Sequence, residues 1–314
     1  MRAVVVAGPN LTIDRTLRIE ELRAGEVLRF SDVVVTPGGK GVNVARVARE
    51  MGAGAALVGF VPGRTGAAAE GLLGDEGLRV RGVAVAGEIR STAVVLERDG
   101  RVTVFNEPGP ALAAGDWERF EGAVGEELAG QRVLVCSGSL PPGAPDDAYA
   151  RLVAVAHRHG AVAVVDVGGG QLDAAARAGA DVVTPNRAEA EGLLHGRADE
   201  TVAAGDAREP AQRAAAELVA RGARAAVVTA AEAGAAVASA GEPARWLPAP
   251  RVARVRNPIG AGDAFAGGLA LALERGEPFE AAVLAGMATG AASVETETAG
   301  VVVPARVAEL LRAL

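Results

Sequence analysis

The sequence predicts an α/β fold: a doubly wound, mostly parallel sheet flanked by helices, with a small β-strand lid. Short Val-rich runs alternate with Ala-rich segments of helical period, as βαβ units require. The 314 residues suffice for one large domain, and such a core buries roughly 75% of the unfolded surface without a disulfide or metal. Two β-rich stretches interrupt the alternation, and these supply the lid.

Ala3–Ala7 reads as the first strand. Val42–Met51 reads as a helix, because Val44, Val47, Ala48 and Met51 share one face and Gly52 stops it. Ala55–Val61 is the next strand, followed later by Val133–Cys136, a helix over about Asp146–His159, and strand Ala161–Val167. Strand Asp181–Thr184 precedes a helix opening near Asn186, helix Pro210–Arg221 leads into strand Ala225–Thr229, and three helices fill much of Asp263–Leu314. Thr12–Thr36 has no convincing helix, and Arg90–Asn106 is two β-rich runs joined at Asp99-Gly100, a hairpin signal. A single domain over 1–314 is expected, with the lid built from about 12–36 and 88–107.

Composition narrows the function. Half the residues are hydrophobic but only 3% aromatic, so Ala, Val and Leu must build the core. The lone Cys136 excludes a disulfide framework and a cysteine zinc site, and fits a reducing, cytoplasmic setting. The opening apolar run is short for a signal peptide, and no stretch reaches the roughly 18 apolar residues of a membrane span. Net charge is −7 with both signs interspersed, which argues against nucleic-acid binding. His157 and His159 do not share a helix face and predict no metal pair. Glu295 and Glu297 read as solvated.

Three glycine-rich stretches carry candidate chemistry. PGGKGVN (37–43) holds the one lysine among 32 basic residues; a preference for Arg otherwise looks like codon bias. Gly38, Gly39 and Gly41 permit close backbone approach, and the following helix offers unpaired amides to an anion. It is not a P-loop, because Gly41 stands where GxxxxGK(S/T) needs a hydroxyl residue. RNPIGAGDAFAGG (256–268) places Gly260, Ala261 and Gly262 before Asp263, so that successive amides could nest a phosphoryl group and the carboxylate could take a proton. A plain helix N-cap would also explain Asp263. CSGSLPPG (136–143) follows a buried strand at the end where open α/β sheets bind ligands. A dinucleotide-dependent oxidoreductase is poorly supported, since Gly8-Pro9-Asn10 follows the first strand in place of GxGxxG.

Together with GPNLTIDRT and PNRAEAE, these motifs in this order resemble the PfkB, or ribokinase-like, family of carbohydrate kinases. GGKG, SGSLPPG, Arg90 and the run DWERF (116–120) are similar to 1-phosphofructokinases, and NPIGAGD to tagatose-6-phosphate kinases. The resemblance implies a ribokinase-like fold, ATP with Mg2+, and a phosphorylated ketohexose as acceptor. Fructose 1-phosphate stands first, with tagatose 6-phosphate or fructose 6-phosphate as alternatives. It implies Asp263 as base with the Gly260, Ala261 and Gly262 amides. Asp14, Gly39, Lys40, Asn43, Arg90 and Ser139 would bind substrate. Asn186, Glu189, Thr229 and Gly234 would bind nucleotide, with Glu189 holding the metal through water. A homodimer through the lid is implied as well. The nucleotide loop departs from the family's SxGxxG: here it reads TAAEAG, with Ala231 for a glycine, and Thr184 stands before PN where phosphofructokinases usually have Lys. A catalytically weak sugar-phosphate-binding protein is therefore the alternative of a different class.

Overall fold

Side-chain alternation in the first strand sets the architecture. In the computed structural model, which describes residues 3–195 and 207–314, strand β1 (Ala3–Ala7) sends Val4 and Val6 into one core and Val5 and Ala7 into another. A strand buried on both faces belongs inside a sheet covered by helices on each side. From β1 the chain runs out through β2 (Thr12–Ile19) and β3 (Asp32–Gly38), then returns through α1 (Lys40–Glu50). It adds β4 (Gly54–Pro62), α2 (Gly63–Asp75) and β5 (Arg79–Val85), and leaves again as β6 (Arg90–Glu97) and β7 (Val102–Asn106). Next come α3 (Asp116–Glu127), β8 (Val133–Ser137), α4 (Ala148–Arg158), β9 (Val162–Asp166), α5 (Gly169–Arg177) and β10 (Val182–Val183). The remaining elements are α6 (Arg187–His195), α7 (Arg208–Ala220), β11 (Ala225–Thr229), β12 (Gly234–Ser239), β13 (Arg245–Pro248), α8 (Ala261–Glu274), α9 (Phe279–Ser293) and α10 (Pro304–Arg312).

The large sheet has the order β13-β12-β11-β10-β9-β8-β1-β4-β5. It is parallel except for β12 and β13, which form an antiparallel edge. Helices α1, α2 and α8–α10 cover one face, and α3–α7 the other. From β1 the order grows one way through β4 and β5 and the other way through β8 to β11. The strand order therefore reverses between β1 and β8, and a crevice opens there beyond the strands' C-terminal ends. The small sheet has the order β3-β2-β6-β7. β6 and β7 form the hairpin at Asp99-Gly100, while β2 and β6 pair in parallel although β4, α2 and β5 separate them in sequence.

Two features of the sequence take their meaning from the packing. DWERF opens helix α3, but Trp117 and Phe120 are buried, and their rings pack with Phe60 at centroid distances of 4.8–6.2 Å. Their i, i+3 spacing makes an apolar stripe that a chain so poor in aromatics buries. Glu295 is not a free surface carboxylate: it accepts from Arg306 at 2.7 Å and from the Ala253 amide at 2.8 Å. Those bonds hold its carboxyl below the usual range, Arg306 contributing most. Glu297, by contrast, is exposed and pairs with Arg256 at 3.2 Å. His157 bonds Asp181 through Nε2 at 2.9 Å, a structural contact between α4 and the residue before β10. No helix among the described residues is long and apolar enough to cross a membrane.

The loop from β11 to β12 keeps a glycine-like shape without the glycine. Ala231 has φ +48°, the one positive value at a non-glycine among the described residues. A left-handed conformation costs an L-residue about 1–2 kcal/mol, against the roughly 0.5–1 kcal/mol of extra chain entropy a glycine loses on folding. Ala231→Gly is therefore expected to raise the unfolding free energy by up to about 1 kcal/mol, read as a higher denaturation midpoint at unchanged m value. A lower midpoint would show that the loop carries no strain.

Candidate functional site

The sequence brings its glycine-rich stretches to the crevice because each sits at the C-terminal end of a strand or the N-terminal end of a helix. One cavity of about 360 Å3 lies between the small sheet and the start of α8. It is lined by Asp14, Gly39, Lys40, Asn43 and Arg90 on one side, and by Asn186, Glu189, Thr229 and the 260–263 turn on the other. A second, of about 660 Å3, runs from Lys40 and Arg90 past Asn10 to Ser139. A third, of about 960 Å3, continues from Lys40 along Gly138–Ala144 to Gly168–Gln171. Lys40 borders all three. Of the catalytic and ligand-binding residues that the family resemblance implies, Gly234 alone lines none of these cavities: with φ +135° it begins β12, packed so closely on Leu247 that a Cβ would fall 2.2 Å from its carbonyl oxygen.

The glycines of the first motif serve the protein's own packing. A Cβ on Gly38 would lie 2.0 Å from Asp14 Oδ2, so this position is open for the Asp14 carboxylate, not for a ligand. Likewise Gly41 packs against Gly8, with 2.8 Å between the would-be Cβ and the Gly8 Cα. Gly39 is the residue before α1, at φ +109°, and it directs Lys40 and Asn43 toward the cleft from the first turn.

At the second motif, Gly260 (φ +82°) is the N-cap of α8 and Asp263 lies inside the first turn. Asp263 is thus not the N-cap. Its carboxylate instead accepts a 2.7 Å hydrogen bond from Asn43 Nδ2, joining the starts of α1 and α8. First-turn amides of a helix have no intrahelical acceptor and carry the positive end of its dipole, so this turn favours an anion.

Charge on the cleft floor is closely balanced. Lys40 Nζ stands 3.6 Å from Asp166 Oδ2 and 3.4 Å from Glu189 Oε1. These carboxylates, Asp166 foremost, raise the lysine pKa above its ordinary value, so it remains an ammonium. Asp263 is 5% exposed, and burial pushes its carboxyl up to about 7; Lys40 opposes that shift, while Asp166 adds to it. Burial also raises Asp14, whose Oδ1 has no partner, and lowers Arg90, a shift that leaves the guanidinium charged. Asn186 and Glu189 form a capping box at α6: the Asn186 amide donates to Glu189 Oε2 and the Glu189 amide to Asn186 Oδ1, both at 2.9 Å. The second Glu189 oxygen is thereby free to receive Lys40.

Asp166 stands outside the glycine-rich motifs, and its one signal in the sequence is that of a carboxylate closing an otherwise apolar strand. Its neighbours are Ser137 Oγ at 3.5 Å and Thr184 Oγ1 at 3.3 Å. Thr184 therefore contacts the same carboxylate as Lys40. Neither motif spacing nor the family resemblance assigns Asn10 a role. It is 7% exposed and donates to Ser139 Oγ at 3.0 Å and to the Pro108 carbonyl at 3.1 Å.

Comparisons with known proteins match nearly the whole chain. The model of the pfkB family of carbohydrate kinases matches residues 1–306. The ATP-dependent 6-phosphofructokinase isozyme 2 of Mycobacterium tuberculosis is 30% identical over 296 residues, 93% of this chain and 84% of that protein. Phosphofructokinase-2 of Escherichia coli, solved with fructose-6-phosphate, superposes with a TM-score of 0.85 at 27% identity, covering 100% of this chain and 99% of that one. A candidate 1-phosphofructokinase of Thermotoga maritima shares the fold, with a TM-score of 0.82 at 22% identity and coverage of 99% and 98%. With nearly its whole length matched, this chain belongs to the PfkB family of carbohydrate kinases.

Proposed function

We propose that the chain transfers the γ-phosphoryl group of ATP to a hydroxyl of a ketohexose monophosphate. The observation that carries this is Asp263, a buried carboxyl with a pKa of about 7 at the positive end of α8, held by Asn43 and facing Lys40. As carboxylate it takes the proton of the acceptor hydroxyl while that oxygen bonds to the γ-phosphorus. The bond from the γ-phosphorus to the β–γ bridging oxygen breaks, and ADP leaves with the electron pair. The amides of Gly260, Ala261 and Gly262 stabilise the moving phosphoryl oxygens. Lys40 offers a compact positive charge between close backbones, where a guanidinium fork would not fit without displacing them.

Asp14, Gly39 and Asn43 hold the sugar, with Arg90 and Ser139 on its existing phosphate. Asn186, Glu189 and Thr229 face the nucleotide. Magnesium arriving with a triphosphate keeps most of its water. The described residues bring no three ligating side chains together, and both Glu189 oxygens are engaged, so Glu189 would hold such an ion through water. When bound, it supplies positive charge to the phosphate oxygens. Fructose 6-phosphate is the acceptor favoured by the relatives' activities; fructose 1-phosphate rests on the motif resemblance. The small sheet acts as a lid, and its outer face leaves Val33, Val35 and Phe105 41–54% exposed, an apolar surface suited to a second copy.

Release of ADP with Mg2+, measured across fructose 6-phosphate, fructose 1-phosphate, tagatose 6-phosphate, fructose and ribose, tests the reading. A preference for one phosphorylated ketohexose is expected; thermal stabilisation by a sugar phosphate without turnover would make this a binding protein. Asp263→Asn should lower kcat by about 10^2–10^4 while sugar-phosphate binding stays within a few-fold. Turnover close to the parent's would remove Asp263 as base.

The pH profile follows from the same group. A base must be ionised, so kcat/KM falls as pH drops through about 7. Lys40 lowers the Asp263 pKa, so Lys40→Met should move this limb to higher pH, whereas Lys40→Arg should leave it in place yet cut kcat/KM. An unmoved limb in Lys40→Met would separate the two groups. Phe105→Asp should sediment as a monomer where the parent sediments as a dimer; equal sedimentation of both would exclude that face.

A further inference from the structure

Asn10 occupies the turn between β1 and β2, where three parts of the cleft meet. Its backbone carbonyl accepts from Arg90 Nε at 3.2 Å, at the start of β6. Its side-chain nitrogen donates to the carbonyl of Pro108, just past β7, and to Ser139 Oγ, just past β8. The amide orientation is fixed by chemistry: a carbonyl only accepts, so the atom beside Pro108 is nitrogen. That nitrogen's other N–H therefore points to Ser139, whose hydroxyl is the acceptor.

A serine hydroxyl that accepts from one side has its own proton to donate on another. Ser139 is exposed in the cleft, and Arg90 lines the same cavity. Asn10 thus holds a neutral donor with its side chain and a cationic donor with its backbone, both bordering one cavity. The other amide oxygen, Oδ1, is buried without a partner against Gly109, where a Cβ would fall 2.3 Å away. A buried carbonyl left unpaired weighs against stability. An apolar side chain of similar shape would avoid that cost but forfeit both donated bonds, so the asparagine is kept for what its N–H groups hold.

We infer that Asn10 is a positioning residue for the acceptor's phosphate: it turns Ser139 into a dedicated hydrogen-bond donor and fixes Arg90 beside it. This rests on Ser139 and Arg90 being the ligands of that phosphate. Asn10 itself does not touch the transferring group, so its effect falls on acceptor affinity and on discrimination between a phosphorylated and an unphosphorylated ketose.

The test is calorimetric binding of fructose 6-phosphate and fructose 1-phosphate, with steady-state kinetics for the better acceptor and for fructose. Asn10→Leu, near in shape but without N–H groups, should weaken sugar-phosphate binding about tenfold, leaving the KM for ATP and the kcat/KM for fructose within about twofold. Ser139→Ala should weaken it similarly, and the double variant little more than either single one, because both remove the same donor. Additive losses, or equal losses for fructose and its phosphates, would overturn the inference by making Asn10 a general structural support. If Ser139→Ala and Arg90→Leu both leave sugar-phosphate binding unchanged, the assigned phosphate ligands are wrong and the inference falls with them. A second variant, Asn10→Asp, covers a failure of Asn10→Leu to fold. It keeps the size but makes the side chain an acceptor, drawing the Ser139 proton away from the cleft. Its binding of fructose 6-phosphate should fall further than in Ser139→Ala; parent-like binding would overturn the inference.

Discussion

One ammonium group organises the floor of the cleft. Asp166 ends β9, Glu189 sits in the first turn of α6, and Asp263 in the first turn of α8. Lys40 contacts the first two and influences the third through its charge. Carboxylates taken out of water without a counter-charge either neutralise or destabilise the fold. Here two of them are 4–5% exposed, and the nearest cation comes from the first residue of α1. The lysine therefore ties four chain segments together and also sets how readily Asp263 ionises. Its position between two glycines follows, since Gly39 supplies the left-handed entry to the helix and Gly41 lets α1 lie against Gly8.

This constraint separates what the sequence shows from what it hides. Strands such as Ala3–Ala7 and Ala225–Thr229 are legible because Val-rich runs bounded by turns have little other use in an α/β chain. The helices read from Val42 and from about Asp263 are legible because glycines precede them, although they begin two residues earlier, at Lys40 and Ala261. β12 is not: Gly-Ala-Ala-Val-Ala-Ser has low intrinsic strand preference, and only pairing with β11 and β13 makes it a strand. α2 and α5, rich in Gly and Ala, lack a strong apolar stripe for the same compositional reason.

The site divides in a similar way. Residue types suited to phosphate and proton transfer stand out within their motifs, but their partners do not. Asn43 reaches Asp263 across 220 positions, and Asn10 reaches Ser139 across 129. Periodicity and local propensity contain nothing about such pairs; they arise from the strand order, which places β1 beside β8 and α1 beside α8. Asp166 could have been suspected from its place at a strand end, yet its pairing with Lys40 needs the third dimension. The glycines of PGGKG show the opposite error: their openness suggests room for a ligand, and the protein fills much of it with Asp14 and Gly8.

The arrangement also bears on how a phosphoryl transferase avoids giving its phosphate to water. Under the proposed reaction, Asp14 and Arg90 belong to β2 and β6 of the small sheet, whereas Asp263 and the amides of its turn belong to α8, which packs on the large sheet. An acceptor held by both would draw the small sheet toward the core, so the base would meet a sugar hydroxyl only when the cleft has closed around it. Water alone makes no bridge of that length. Selectivity against hydrolysis would then come from splitting the acceptor's ligands between two sheets, with Lys40 and Asn43 at the seam belonging to the side that stays fixed.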